Sequence, residues 1–297
     1  MRLRNFCDVL NMELAQSAGG AEFQAGSAEH RRGLARFFID TYIDYEPEKI
    51  RWPQLGEAER SRLAGLPFWQ EAVATESRTS GKVMAAAQLE SDAELRKAIE
   101  LQGFEENRHA RLLAALTTHY RIPVQTPPPH VPRSLENEFL LAGFGECFDS
   151  FFAFGLIDIA RTSGFFTPEL VQIFEPVVQE EARHILFFVN WVKYRRAQLP
   201  WWKRPLFRLR CGYLILKQVA SRAQTAKAFN GGDSRSADNF TMTSAQEMGS
   251  NLTLHDLLGR CLAENERRMA PYDARLLRPR LVPTLARWFY RILPASI

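Results

Sequence analysis

Residues 105–113 read EENRHARLL, and residues 180–188 read EEARHILFF. The chain has 297 residues and six histidines, and two of those histidines stand behind the same Glu-Glu-x-Arg-His phrase. On a helix, positions i and i+3 share a face about one turn apart. Glu106 with His109, and Glu181 with His184, therefore each aim a carboxylate and an imidazole at one point. Neighbours on those faces are mostly apolar: Ile99, Leu113 and Leu116 around the first pair, and Phe174, Val177, Val178, Ile185 and Phe188 around the second. Each Glu-x-x-His thus looks inward, where unpaired charge is costly. A shared divalent metal is the simplest compensation. Taken alone, either match could instead be a solvated or local helical pair.

Proline and glycine punctuation predicts four long helices around these phrases, at about 67–90, 92–120, 135–162 and 167–198. Thr167-Pro168 opens the last of them with an N-cap followed by proline at the first helical position. Shorter helices are expected over 28–45 and 56–65 and, in the C-terminal third, over 202–229, 253–269 and 282–293. AGGAEFQAGS (18–27) reads as flexible and GGDSRSADN (231–239) as a polar loop. If the first two long helices fold back about residue 91, the position level with Glu106 is Glu76, whose inward face carries Val73, Thr79, Ser80 and Val83. If the next two fold back about residue 165, the level of Glu181 falls at Asp149, with Glu146 one turn away. Glu146 shares its face with Phe139, Ala142, Gly143, Ala153, Ile157 and Ala160. One helix of each hairpin thus offers a carboxylate at the depth where the other offers Glu-x-x-His.

This pattern resembles the ferritin-like di-iron carboxylate superfamily, in which two helices give a Glu and two give Glu-x-x-His. The wording EENRH is similar to the soluble acyl-carrier-protein desaturases. The resemblance covers about 67–198 and implies an all-α fold there, a ferritin-like antiparallel four-helix bundle; outside it, 1–66 reads as an N-terminal extension with one or two helices and 199–297 as a basic helical extension packed on the bundle. Carried over by position, it implies Glu76, Glu106, His109, Glu146, Glu181 and His184 as metal ligands, with Glu106 and Glu181 bridging. It implies two iron ions, with iron/manganese as the alternative; oxygen-rich ligation with two imidazoles suits both. Asp149 is expected as a partner of a ligand histidine or as an alternative to Glu146. Arg108 and Arg183 are expected to pair with Glu105, Glu180 or a carboxylate across the bundle, or to form a solvated stripe.

Subfamilies differ in what surrounds the metals. No Cys-x-x-Cys pair joins the four scattered cysteines, which argues against a rubredoxin module and a disulfide framework. Leu113 and Phe188 occupy the places where a radical-storing tyrosine would follow the ligand histidines. The expectation is an oxygenase, desaturase or hydroxylase that uses an external electron donor. Its substrate would be an apolar small molecule or a chain bound to a carrier protein. Ala142, Gly143 and Ala153, with Phe139, are expected to line the substrate pocket; helix packing is the alternative role for these residues. A ferroxidase or peroxide-scavenging protein without an organic substrate is a second reading, and a non-enzymatic membrane-associated or scaffold protein a third.

Charge is uneven. Residues 193–297 hold 19 of the 38 Lys/Arg but 7 of the 34 Asp/Glu, a net +12, which leaves −8 over 1–192. Such asymmetry points to an anionic partner for the C-terminal third. Segments 201–217 and 278–293 mix aromatics, cations and aliphatics, as interfacial helices do; simple cover for the bundle is the alternative. No RNA-binding signature supports a nucleic-acid partner, and a homodimer is left open. No signal peptide is read at the N-terminus. The most apolar stretch, 139–160, carries Glu146, Asp149 and Asp158, which would be costly in lipid. The expected place is the cytoplasm, with a peripheral position at the inner membrane surface open.

Overall fold

The computed structural model describes residues 23–66, 69–125, 134–230 and 253–294, and regular structure among them is entirely helical. Nine helices follow in chain order: α1 Ala28–Asp40, α2 Glu57–Gly65, α3 Trp69–Ala87, α4 Ala93–His119, α5 Leu135–Ser163, α6 Pro168–Gln198, α7 Arg204–Asn230, α8 Leu254–Met269 and α9 Leu281–Ile292. Local chemistry sets the boundaries that position the site. Asp92 caps α4 by accepting from the backbone N–H groups of Glu94 and Leu95, which satisfies donors left orphaned at a helix start. Gly164 ends α5 at φ 67°, a left-handed backbone that glycine adopts at little cost. Pro168 opens α6, where its missing N–H removes no hydrogen bond. Residues 18–22 of the stretch expected to be flexible and residues 231–239, expected as a polar loop, lie outside the described residues.

The contacts show antiparallel pairing. In α3 and α4, Ser80 donates to the Gly103 carbonyl at 3.0 Å, and Gln70 meets Gln125 at the far end. Gly103 is needed at that crossing, since a Cβ there would stand 2.5 Å from the Met84 sulfur. In α5 and α6 the pairs are Glu136 with Arg195, Gly143 with Phe188, and Ser150 with Glu181. All three are symmetric about the junction of residues 165 and 166. α3 packs against α4 and α5, and α6 against α5 and α4. Around these four, α1 lies on α4 and α6, α7 and α8 each lie on α5 and α6, and α9 lies on α8 and α5.

Apolar clusters lie on either side of a polar middle. Leu95, Ile99, Phe139, Phe187, Phe188 and Trp191 form one. Phe151, Phe154, Ile157, Val178, Ile185 and Cys261 form another. Burial of these side chains supplies the main drive for packing. Helix α5 is long and apolar enough by composition to cross a membrane, but half of its most apolar window is covered by protein. Its acids are engaged within the chain: Asp158 with Arg161 and Arg260, and Asp149 with Arg222.

Candidate metal centre

Midway along α4 and α6 the two phrases face each other. Because α4 and α6 run in opposite directions, consecutive glutamates of one phrase reach both sides of the other phrase's histidine. His109 has Glu180 at 2.8 Å from Nε2 and Glu181 at 3.2 Å from Nδ1. His184 has Glu105 at 2.9 Å from Nε2 and Glu106 at 3.0 Å from Nδ1. Adjacent helical residues point about 100° apart, so the first Glu of each phrase turns to the outer side and the second to the centre.

The arginines complete the outer ring. Arg108 donates to Glu180 at 2.8 Å, and Arg183 donates to Glu105 at 2.5 Å. Arg183 also donates to the hydroxyl of Thr41 and the carbonyl of Phe38, which brings α1 into the support of the site. Arg108 stacks over Tyr45 with 4.2 Å to the ring centroid. A carboxylate held by a guanidinium stays ionised and only accepts. Each Nε2 therefore carries the ring proton, and in the neutral imidazole the Nδ1 lone pair faces the centre, as a ligand histidine requires.

In the middle, Glu76 of α3 and Glu146 of α5 join. Two groups emerge among the described residues: Glu76, Glu106, His109 and Glu181, and Glu106, Glu146 and His184. In each group, one ligand atom per residue lies within 4.8 Å of the others. Glu106 belongs to both. The structure thus brings together all six residues that the spacing and the resemblance singled out.

The electrostatics of the cluster describe a need for positive charge. Burial, then the neighbouring Glu146, pushes the Glu106 carboxyl well above the ordinary range. Burial also raises Glu146 to about 8, with the charges of Glu181 and Glu76 adding to it. Burial would raise Glu181 as well, but the hydrogen bond from His109, the two imidazole charges and the Ser150 hydroxyl hold it at about 2. Burial opposes the charged forms of His109 and His184, yet the surrounding glutamates raise both well above the usual imidazole value. Protons therefore gather where a cation would sit.

A metal fits this chemistry. With both imidazoles neutral, so that each Nδ1 is an acceptor facing a carboxylate oxygen, Glu106 Oε1, Glu146 Oε1, His109 Nδ1 and His184 Nδ1 are buried without a hydrogen-bond donor. Orphaned buried polar atoms are rare and costly, and these four all belong to the ligand-type groups. Four carboxylates and two neutral imidazoles carry a charge that two divalent ions would cancel. The outer Glu–Arg pairs are already neutral, so they do not compete for those ions.

A cavity of about 470 Å³ adjoins the cluster. Glu76, Glu106, Glu146 and Glu181 form its polar wall; Leu66, Trp69, Leu156, Ile157, Phe166 and Leu170 are among its apolar lining. This differs from the expected pocket. Ala153 lines the cavity, but Phe139, Ala142 and Gly143 do not. Phe139 packs edge-on against Phe188 and Trp191. Gly143 lies under Phe188 so closely that a Cβ would be 2.2 Å from its ring. Asp149 also departs from its expected place. Ser150 takes the level of Glu181, while Asp149 turns outward to the Arg222 guanidinium of α7.

Four supporting groups had not been singled out from the sequence: Ser150, Gln102, which donates to Glu146 at 3.4 Å, and the Thr41 and Phe38 contacts. They carry no motif. The contacts of Glu105 and Glu180 with the histidine rings were not read from the sequence either, and the repeated phrase is the one signal that points to them. Comparison of the chain with protein-family models, with curated proteins and with solved structures gave no match.

Proposed function

We propose that this chain is a ferritin-like four-helix protein that holds two iron ions and uses dioxygen to hydroxylate, desaturate or oxygenate an apolar, lipid-like or carrier-bound substrate. The carrying observation is the meeting of four orphaned ligand atoms with an apolar cavity that shares their carboxylate wall. The mutual packing of α3, α4, α5 and α6, with ligand-type groups on each, supports the ferritin-like arrangement. Glu76, Glu106, Glu146, Glu181, His109 and His184 would hold the ions, with Glu106 placed to serve both. Iron in such a site supplies the electrons that activate dioxygen, replenished by an external donor.

The chain's own residues do the rest. Glu105 and Glu180 fix the tautomer and tilt of each imidazole, and Arg183 and Arg108 hold those carboxylates in place by hydrogen bonds. Ser150 fixes one oxygen of Glu181 and leaves the other for the centre. The wall from Leu156 to Phe166 excludes water and seats an apolar chain beside the carboxylates. A ferroxidase would not need that wall. A metal-free scaffold would not need Glu146 turned inward.

Metal analysis after iron-supplemented expression tests the reading. About two metals per chain are expected, and fewer than about one overturns it. Catalytic Fe(II) oxidation in a protein that binds no apolar probe would favour the ferroxidase instead.

A further inference from the structure

Helix α7 has two unlike sides. Phe207, Cys211, Leu214 and Ile215 are buried, on a helix that packs against α5 and α6. On the other side Leu206, Leu209, Tyr213 and Leu216 are exposed. Their spacing of three, four and three draws one apolar stripe along the helix. The turn before it presents Trp201 at 75% exposure and Trp202 at 58%, ring against ring. Lys203 and Arg204 stand exposed at the head of the stripe and Lys217 near its far end. No Asp or Glu occurs between Ala182 and Gly232, a stretch that holds 11 Lys/Arg. Amphipathic α9 repeats the chemistry: Trp288, Phe289 and Ile292 are exposed, with Arg287 and Arg291 among them.

We propose that the outer side of α7, with Trp201 and Trp202, docks this protein on an anionic phospholipid surface. Tryptophan side chains settle at headgroup depth, where one edge is apolar and the other wet. The leucine stripe reaches the acyl boundary, and lysine and arginine meet the lipid phosphates. The stripe is the convex side of a single helix, and the hollow beside it, between Asn137, Glu138 and Leu141 of α5 and Arg210, Tyr213 and Lys217 of α7, takes in only Tyr213 of the four stripe residues, which favours a plane over an inserted peptide. Gln218, Ser221 and Arg222 of the same helix line the cavity. Docking therefore brings the wall of the cavity to the lipid, a natural source of apolar substrate. That last link rests on the proposed function; the docking surface itself does not.

Vesicle flotation of the full chain tests it. Mixed phosphatidylcholine–phosphatidylglycerol vesicles should bind at least about tenfold tighter than phosphatidylcholine alone, with the difference shrinking in salt. Leu209→Glu with Tyr213→Glu should lose about tenfold or more of that binding with circular dichroism and metal content unchanged. Lys203→Glu with Lys217→Glu should erase the preference for the anionic lipid. Unchanged flotation of the Leu209/Tyr213 variant overturns the proposal. So does a wild-type chain that fails to float but is dimeric, and becomes monomeric in that variant; the stripe then belongs to a second copy. Glu106→Gln with Glu181→Gln should still float while losing metal, so failure of the lipid surface and failure of the metal reading are distinguishable.

Discussion

In the half of the centre built on α4, Glu106 is fully buried and its carboxyl is driven up by burial and by Glu146. In the half built on α6, Glu181 occupies the corresponding place in the same five-residue phrase and is held at about 2. Protonated imidazoles lower both carboxyls, His109 acting most on Glu181 and His184 on Glu106; α5 makes the difference by setting Glu146 beside Glu106 and the Ser150 hydroxyl, which donates at 2.8 Å, on Glu181. A repeated motif thus sets the positions of ligand groups, and the neighbouring helix sets their charge. The outer ring is unequal too. Arg108 keeps two further acidic contacts beside Glu180, Asp44 from the surface and buried Glu105, each at 3.6 Å. Among the described residues Arg183 has no acidic contact besides Glu105; Thr41 and the Phe38 carbonyl accept its other N–H groups.

The sharpest way to break this comparison is to remove one carboxylate at a time. Glu106→Ala strikes both metal groups and should drop metal content from about two per chain to almost none, whereas Glu76→Ala should leave about one. Metal counting by mass spectrometry separates these outcomes, and equal loss in both variants would refute the shared role of Glu106. Next come the outer glutamates. Glu105→Gln leaves Arg183 buried without an anion and should cost about 3–5 kcal/mol. Glu180→Gln should cost about 1–3 kcal/mol, because Arg108 retains Glu105 and Asp44. Urea midpoints measure both, and a larger cost at Glu180 would reverse the ranking.

Smaller effects separate the two faces of α5. Gly143→Ala drives a methyl into Phe188 and should cost about 1–3 kcal/mol with no specific effect on apolar-probe binding. Ala153→Leu should keep stability within about 1 kcal/mol yet abolish binding of a fluorescent apolar probe. Retained probe binding in that variant would place the ligand cavity elsewhere. The smallest effect is expected for Asp149→Ala. Its ion pair with Arg222 is exposed, so the change should cost under about 1 kcal/mol and leave the metal content intact.

Most of the helix plan was legible because its punctuation is strong. Predicted ends at 120, 162 and 198 fall within one residue of those observed for α4, α5 and α6. Glu76 was found from the level of Glu106 alone, since a short turn fixes the register of an antiparallel pair. The side of α5 facing the cavity was found in part: Ala153, Ile157 and Ala160 of the Glu146 face line it, whereas Phe139, Ala142 and Gly143 do not. Phe139 and Gly143 look like a pocket in sequence because small and aromatic residues alternate there, and the same alternation lets two helices approach closely. Asp149 was misplaced because its partner, Arg222, comes from a distant helix whose position no local pattern encodes. The outer glutamates needed the opposite directions of α4 and α6, which a single helix cannot reveal.

The crossed grip on the histidines has a consequence for assembly. Neither hairpin can complete the surroundings of its own imidazole, because both glutamates that flank each ring arrive from the other hairpin. A half-folded chain therefore has no finished cluster. If the cluster takes the proposed ions, metal uptake would read out hairpin docking, and the chain would be protected from trapping an ion before its two halves have found each other.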